Sequence, residues 1–132
     1  MDVFDVGRGE KAWGLDGVMK IYGISQTSGV ERRLYVEKGA EGVVLAIADH
    51  VGNVERERVM IEPDSLLTTV MDRTPGGVAI EGKDPSNGEK KVLHVEVRRN
   101  EILLNVRAAS GGECDVAIGL DDFQDALEKA IG

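Results

Sequence analysis

The sequence predicts an α+β fold in which two tandem ββββα copies pack together as a pseudo-dimer, with antiparallel sheets and the helices on one sheet face. Three observations predict it. Shifting the chain by 59 residues aligns Gly17 with Gly76, Ile21 with Ile80, Gly23 with Gly82, Leu34 with Leu93, Val36 with Val95 and Leu45 with Leu104. After the turns at Gly52 and Gly111 the shift becomes 57, matching Val59 with Val116 and Leu66 with Phe123. A small length change of this kind is best tolerated at a turn. Apolar residues alternate with polar ones, as in Leu93, Val95 and Val97, which is the period of a half-buried strand. Each copy then closes on a stretch of helical spacing.

Residues 1–16 precede the repeat, and Trp13 and Leu15 are expected to dock onto it. The first copy with its linker covers 17–75, with strands near 17–23, 31–38, 42–49 and 54–61 separated by Gly, Ser, Asn and charged residues. Pro63 and Asp64 open a short helix from about Ser65 to Arg73. Its Thr68, Thr69 and Val70 are weak helix formers that need tertiary packing. Thr74 to Gly77 link the copies. The second copy, 76–132, repeats the strands near 77–82, 89–98, 101–108 and 113–119. Asp121 is expected to N-cap the last helix with Gln124 three residues on, and Phe123, Ala126, Leu127, Ala130 and Ile131 form its buried stripe. One four-stranded sheet with one helix leaves apolar surface uncovered, so the copies are expected to form a single domain over 1–132.

With 132 residues the chain can bury about two-thirds of its unfolded surface, enough to fold without a metal or disulfide staple. Cys114 is the only cysteine, which excludes an intramolecular disulfide and favours a reducing, cytoplasmic setting. No run approaches the ~20 apolar residues of a membrane span, and the acidic N-terminal stretch lacks the basic and apolar regions of a signal peptide. A net charge of −8 argues against indiscriminate polyanion binding, so any nucleic-acid role needs a locally basic surface.

Placing the alternating aliphatics in the core assigns such a surface. In the first copy the outward set is Lys20, Tyr22, Arg33, Tyr35, Arg56 and Arg58, with Glu37 and Glu57 near its edge. Cations that hold phosphates beside rings that stack bases are the ingredients of single-strand binding. The second copy's face is mixed, with His94, Arg98, Asn105 and Arg107 among Glu81, Glu96 and Asp115. From it Arg98 and Arg107 join the candidate nucleic-acid-binding residues. The alternative is an ordinary solvated sheet face, since antiparallel sheets commonly turn such residues to water.

Catalytic chemistry finds no constellation. His50 and His94 lie at no metal-ligand spacing with each other or with Cys114. Cys114 sits between Glu113 and Asp115, which discourage a thiolate. Ser110-Gly111-Gly112 and Gly7-Arg8-Gly9 lack the rest of a phosphate loop. The expectation is a non-enzyme without catalytic residues, metal or cofactor, whose partner is single-stranded DNA or RNA. The rival expectation is a protein-interaction or homo-oligomerisation module, with no membrane partner in either case.

Arg32-Arg33-Leu34-Tyr35-Val36-Glu37 followed by Gly42-Val43-Val44-Leu45-Ala46-Ile47-Ala48-Asp49 resembles the core of a PUR repeat. The resemblance implies two ββββα repeats intertwined into one domain that binds purine-rich single strands. Whirly-type single-strand binders share a related topology. Two departures stand out. The third strand carries Val43 and Ala46 where the family has cations. The second copy has Lys91-Val92-Leu93-His94-Val95-Glu96, without the aromatic.

Overall fold

The computed structural model describes residues 18–73 and 76–131, together with the backbone of 12–13. It is an α+β fold. In chain order the elements are β1 (Ala12–Trp13), β2 (Met19–Ile24), β3 (Glu31–Lys38), β4 (Val43–Asp49), β5 (Glu55–Ile61), α1 (Pro63–Met71), β6 (Gly77–Lys83), β7 (Lys90–Val97), β8 (Glu101–Ala108), β9 (Glu113–Gly119) and α2 (Leu120–Ile131). All strands pair antiparallel with their sequence neighbours, and β2 also pairs with β9, which brings the sheet back on itself. β1 lies along the start of β2 through Ala12↔Lys20 and Trp13↔Met19. The docking expected of the Trp13 and Leu15 side chains falls outside the described residues, as does the linker at Thr74 and Pro75.

Alternation places the core. Ile21, Leu34, Leu45 and Val59 in β2 to β5, and Ile80, Leu93, Leu104 and Val116 in β6 to β9, share one buried cluster with Leu66 and Val70 of α1 and Phe123 and Leu127 of α2. Each fully buried side chain of this size contributes about 1.5–3 kcal/mol against exposure. Both helices therefore lie on the inner side of the sheet. α1 begins two residues earlier than its sequence suggests because Pro63 fits the first helical turn with its fixed φ, and it stops at Met71. α2 begins at Leu120, so Asp121 stands inside the first turn beside Asp122 rather than at the cap. There both carboxylates favour the positive end of the helix dipole.

The sheet is weakly laddered at two places. β5 meets β6 through one pair, Met60↔Lys83, and β2 meets β9 through one pair, Ile24↔Ala117. A glycine sits beside each. A Cβ on Gly23 would strike the Ala117 carbonyl and the side chains of Val116 and Ile118. A Cβ on Gly82 would strike the Met60 carbonyl and the side chains of Val59 and Ile61. Close backbone approach thus requires glycine at both.

Buried charges span the same two junctions. Near β2–β9, Arg32 donates from Nε to Asp49 (3.3 Å) and from Nη1 to the Asp115 backbone carbonyl (2.8 Å). The Asp115 carboxylate accepts from Ser25 Oγ (2.7 Å), Thr27 Oγ1 (2.9 Å) and the Gln26 amide (2.8 Å). Near β5–β6, Lys91 Nζ lies 2.7 Å from Glu57 and 3.1 Å from Asp84. Glu57, expected near the edge of the outward set, is instead paired opposite Ile47 and directed to Lys91. Burial works to raise Asp84, but the Ser86 hydroxyl and amide and then Lys91 overcome it and hold the carboxyl down at about 2. Asp115 is likewise held low against its burial by the Ser25 and Thr27 hydroxyls and the Gln26 and Thr27 amides.

Candidate nucleic-acid interface

Register fixes which side chains share the outer face of β2 to β5. Lys20 is paired with Tyr35 and Tyr22 with Arg33, so two cations and two tyrosines alternate in a checkerboard across β2 and β3. Both tyrosines face away from the core, and neither lies beneath a helix. The rows continue onto β4 as Tyr35↔Ala46 and Arg33↔Ala48, and onto β5 as Ala46↔Arg58 and Ala48↔Glu55. A register shift between Ile47 and Ala48 makes Arg56 the extra residue of a bulge. Glu55 takes the outward place that strict alternation assigns to Arg56.

The turn from β4 to β5 supplies residues that composition did not single out. Gly52 has φ 81° and Asn53 φ 52°, a left-handed pair that folds the chain back over the face. Asn53 Oδ1 accepts from Tyr35 Oη (2.9 Å) and Arg33 Nη1 (3.1 Å), and His50 Nδ1 accepts from Arg33 Nε (3.2 Å). The His50 ring meets Tyr22 edge-on, with centroids 5.3 Å apart. Lys20 Nζ lies 5.6 Å and Arg33 Cζ 5.8 Å from the centre of the Tyr22 ring, where its quadrupole attracts cations. No described carboxylate lies within ion-pair distance of Lys20 or Arg33.

The other four candidate cations are compensated. Arg56 is bound to Asp49, whose carboxyl is held low chiefly by the hydrogen bond from Arg56 and also by Arg32. Arg58 pairs with Glu55, Arg98 with Glu96 and Glu101, and Arg107 with Glu113. Arg98 and Arg107 lie on the outer face of β6 to β9, apart from the tyrosines. There Asp115 stands in the row of His94 and Asn105 but is buried beneath the turn at residues 25–28.

Two hollows flank the checkerboard. One, of about 320 Å³, runs beside Tyr35 and is floored by the small side chains of Ala46 and Ala48, with Asn53 and Arg58 on its walls. The absence of cations from β4 makes this room. The other, of about 730 Å³, lies at the β2–β9 junction with Tyr22 and His50 on one side. Burial pushes the Cys114 thiol up to about 11, with Asp115, Asp49 and Glu57 adding to the shift and Arg32 opposing it, which leaves a poor nucleophile. Among the described residues no group of three or more His, Cys, Asp or Glu side chains is placed to hold a metal ion, and no helix is long and apolar enough to cross a membrane.

No protein-family model, curated protein or solved structure matches the chain.

Proposed function

We propose that the protein binds single-stranded DNA or RNA across the outer face of β2 and β3, on a scaffold of two ββββα copies related as a pseudo-dimer. The carrying observation is the checkerboard of Lys20, Tyr22, Arg33 and Tyr35, whose two cations lack a described carboxylate partner. Lys20 and Arg33 hold phosphates, and the tyrosine rings take bases. In the free protein both cations rest over Tyr22. Phosphates draw them outward and open the ring face for stacking, which is worth roughly 1–3 kcal/mol per base.

The two-copy scaffold is supported by the element order and by the junctions. At the shifts of 59 and 57 read from the sequence, Gly23 corresponds to Gly82, Ile24 to Lys83, Met60 to Ala117, and Arg32 to Lys91. Each glycine abuts the last strand of the other half, as a two-fold relation requires. The same order of elements supports the likeness to PUR repeats.

Titrating labelled oligonucleotides of mixed sequence against salt tests the reading. Two phosphate contacts on a single strand predict a slope of log K against log salt of about −1.4, at roughly −0.7 per contact. Arg33→Glu combined with Tyr35→Ala is expected to weaken binding by more than about tenfold. No binding at low salt, or binding unchanged in the double variant, overturns the proposal.

A further inference from the structure

We propose that the cleft at the β2–β9 junction reads one base of the bound strand and prefers those with an exocyclic amino group, cytosine, adenine and guanine, over uracil and thymine. This rests on the single-strand reading above and adds a sequence preference to it. The cleft, at about 730 Å³, has the size of a small-ligand site. It adjoins the checkerboard through Tyr22, whose ring forms its wall together with His50. Its floor is apolar, with Ala117 and Ile118, and the half-exposed Ile24 lines its side. A flat heterocycle entering from the platform therefore meets aromatic and aliphatic surface.

Beside the His50 imidazole, whose Nδ1 accepts from Arg33, the charged side chains free to meet a base are acceptors. Glu31 and Glu101 carry carboxylates that only accept, and Gln26 and Asn100 carry amides that can do either. Arg32 is the lining guanidinium, and its Nε and Nη1 are already engaged by Asp49 and Asp115. An amino group entering the cleft donates to a carboxylate. The carbonyl oxygen that uracil or thymine presents at the same edge opposes acceptor with acceptor and leaves a desolvated group unpaired. The carboxylates also repel phosphate, which keeps the backbone on Lys20 and Arg33 and turns the base inward. The cleft at the β5–β6 junction is smaller, about 490 Å³, has no aromatic residue to stack a base, and sets Lys83, Lys90 and Lys91 among Glu41, Glu62 and Glu81. The base-reading role belongs to the first junction alone.

Equal-length oligomers of deoxycytidine and deoxyuridine differ in the amino or carbonyl group at C4 and the proton at N3, and their affinities for the intact protein decide the matter. A good hydrogen-bonded match predicts about tenfold tighter binding of the cytidine strand. In Glu31→Ala with Glu101→Ala the ratio is expected to fall within about twofold, chiefly because the uridine strand binds more tightly once the opposing carboxylates are gone. Equal affinities in the unaltered protein overturn the preference whether or not the variant folds, and a ratio that survives in the folded variant overturns the role of the carboxylates. Failure of both strands to bind overturns the single-strand reading itself.

Discussion

The two junctions of the sheet are alike in backbone and unlike in side chains. At each, one residue pair bridges the strands, one glycine permits the approach, and a basic residue of the neighbouring strand reaches a buried carboxylate on the far side. Yet one cleft is walled by Tyr22 and His50, and the other holds Glu81 in place of the tyrosine and Lys90 in place of Glu31. Contacts that face the core are restricted by close packing, whereas residues that face water are free to differ. The two junctions share a backbone arrangement, and the proposed function resides at one of them.

The charged clusters offer the sharpest way to break that likeness. Lys91 is 5% exposed and is the ion-pair partner of both Glu57 and Asp84. Lys91→Met strands two carboxylates and is expected to cost roughly 3 kcal/mol in a urea-unfolding measurement. Arg32→Met is expected to cost less, because Asp49 keeps Arg56 and Asp115 keeps Ser25, Thr27 and Gln26. Equal losses would mean that the hydroxyl and amide contacts of Asp115 carry little weight.

The glycines come next. Gly23→Ala and Gly82→Ala each drive a methyl into a backbone carbonyl and two aliphatic side chains, and each is expected to destabilise by about 1–3 kcal/mol. Matching losses in paired unfolding curves sharpen the equivalence of the junctions. A silent substitution at one site breaks it.

What the sequence revealed and what it hid follow the same division. Strand positions, helix order and the shared outward face of Tyr22 and Tyr35 were legible because alternation and spacing are local. Alternation alone misplaces Arg56 because a bulge inserts one residue and resets parity, and nothing in Glu55-Arg56-Glu57 marks it. Sequence places Glu57 near the edge of the outward set because a charged residue at an inward position makes sense only once Lys91, far along the chain, is known to meet it. Spacing weighs His50 only as a metal ligand, and Asn53 reads simply as a turn residue. The Gly52-Asn53 pair is a turn signal, but which side chains a turn overhangs is a tertiary fact.

Acid sensitivity tests both junctions together. Asp49 and Asp115 at one, and Asp84 at the other, have folded-state pKa values below their unfolded ones, Asp84 at about 2. The unfolded chain therefore binds more protons at low pH. Their stabilisation is complete above the unfolded carboxylate range near 4 and is lost as pH falls toward 2. The urea midpoint is expected to fall over that window, and Asp84→Asn is expected to flatten part of the fall. An unchanged acid limb in that variant would remove Asp84 from the account.

The smallest expected effect separates the two sheet faces. Arg98 and Arg107 are about half exposed and each is paired with glutamate, so their charge is compensated where they stand. Exposed pairs of this kind contribute ~1 kcal/mol or less, and salt screens their field within about 8 Å at physiological ionic strength. Arg98→Ala with Arg107→Ala is expected to change oligonucleotide affinity by less than about twofold, whereas Arg33→Ala on the opposite half also lowers the salt slope by about 0.7. Equal losses from both variants would place nucleic acid on both faces. The checkerboard of β2 and β3 would then be one of two binding surfaces rather than the one that matters.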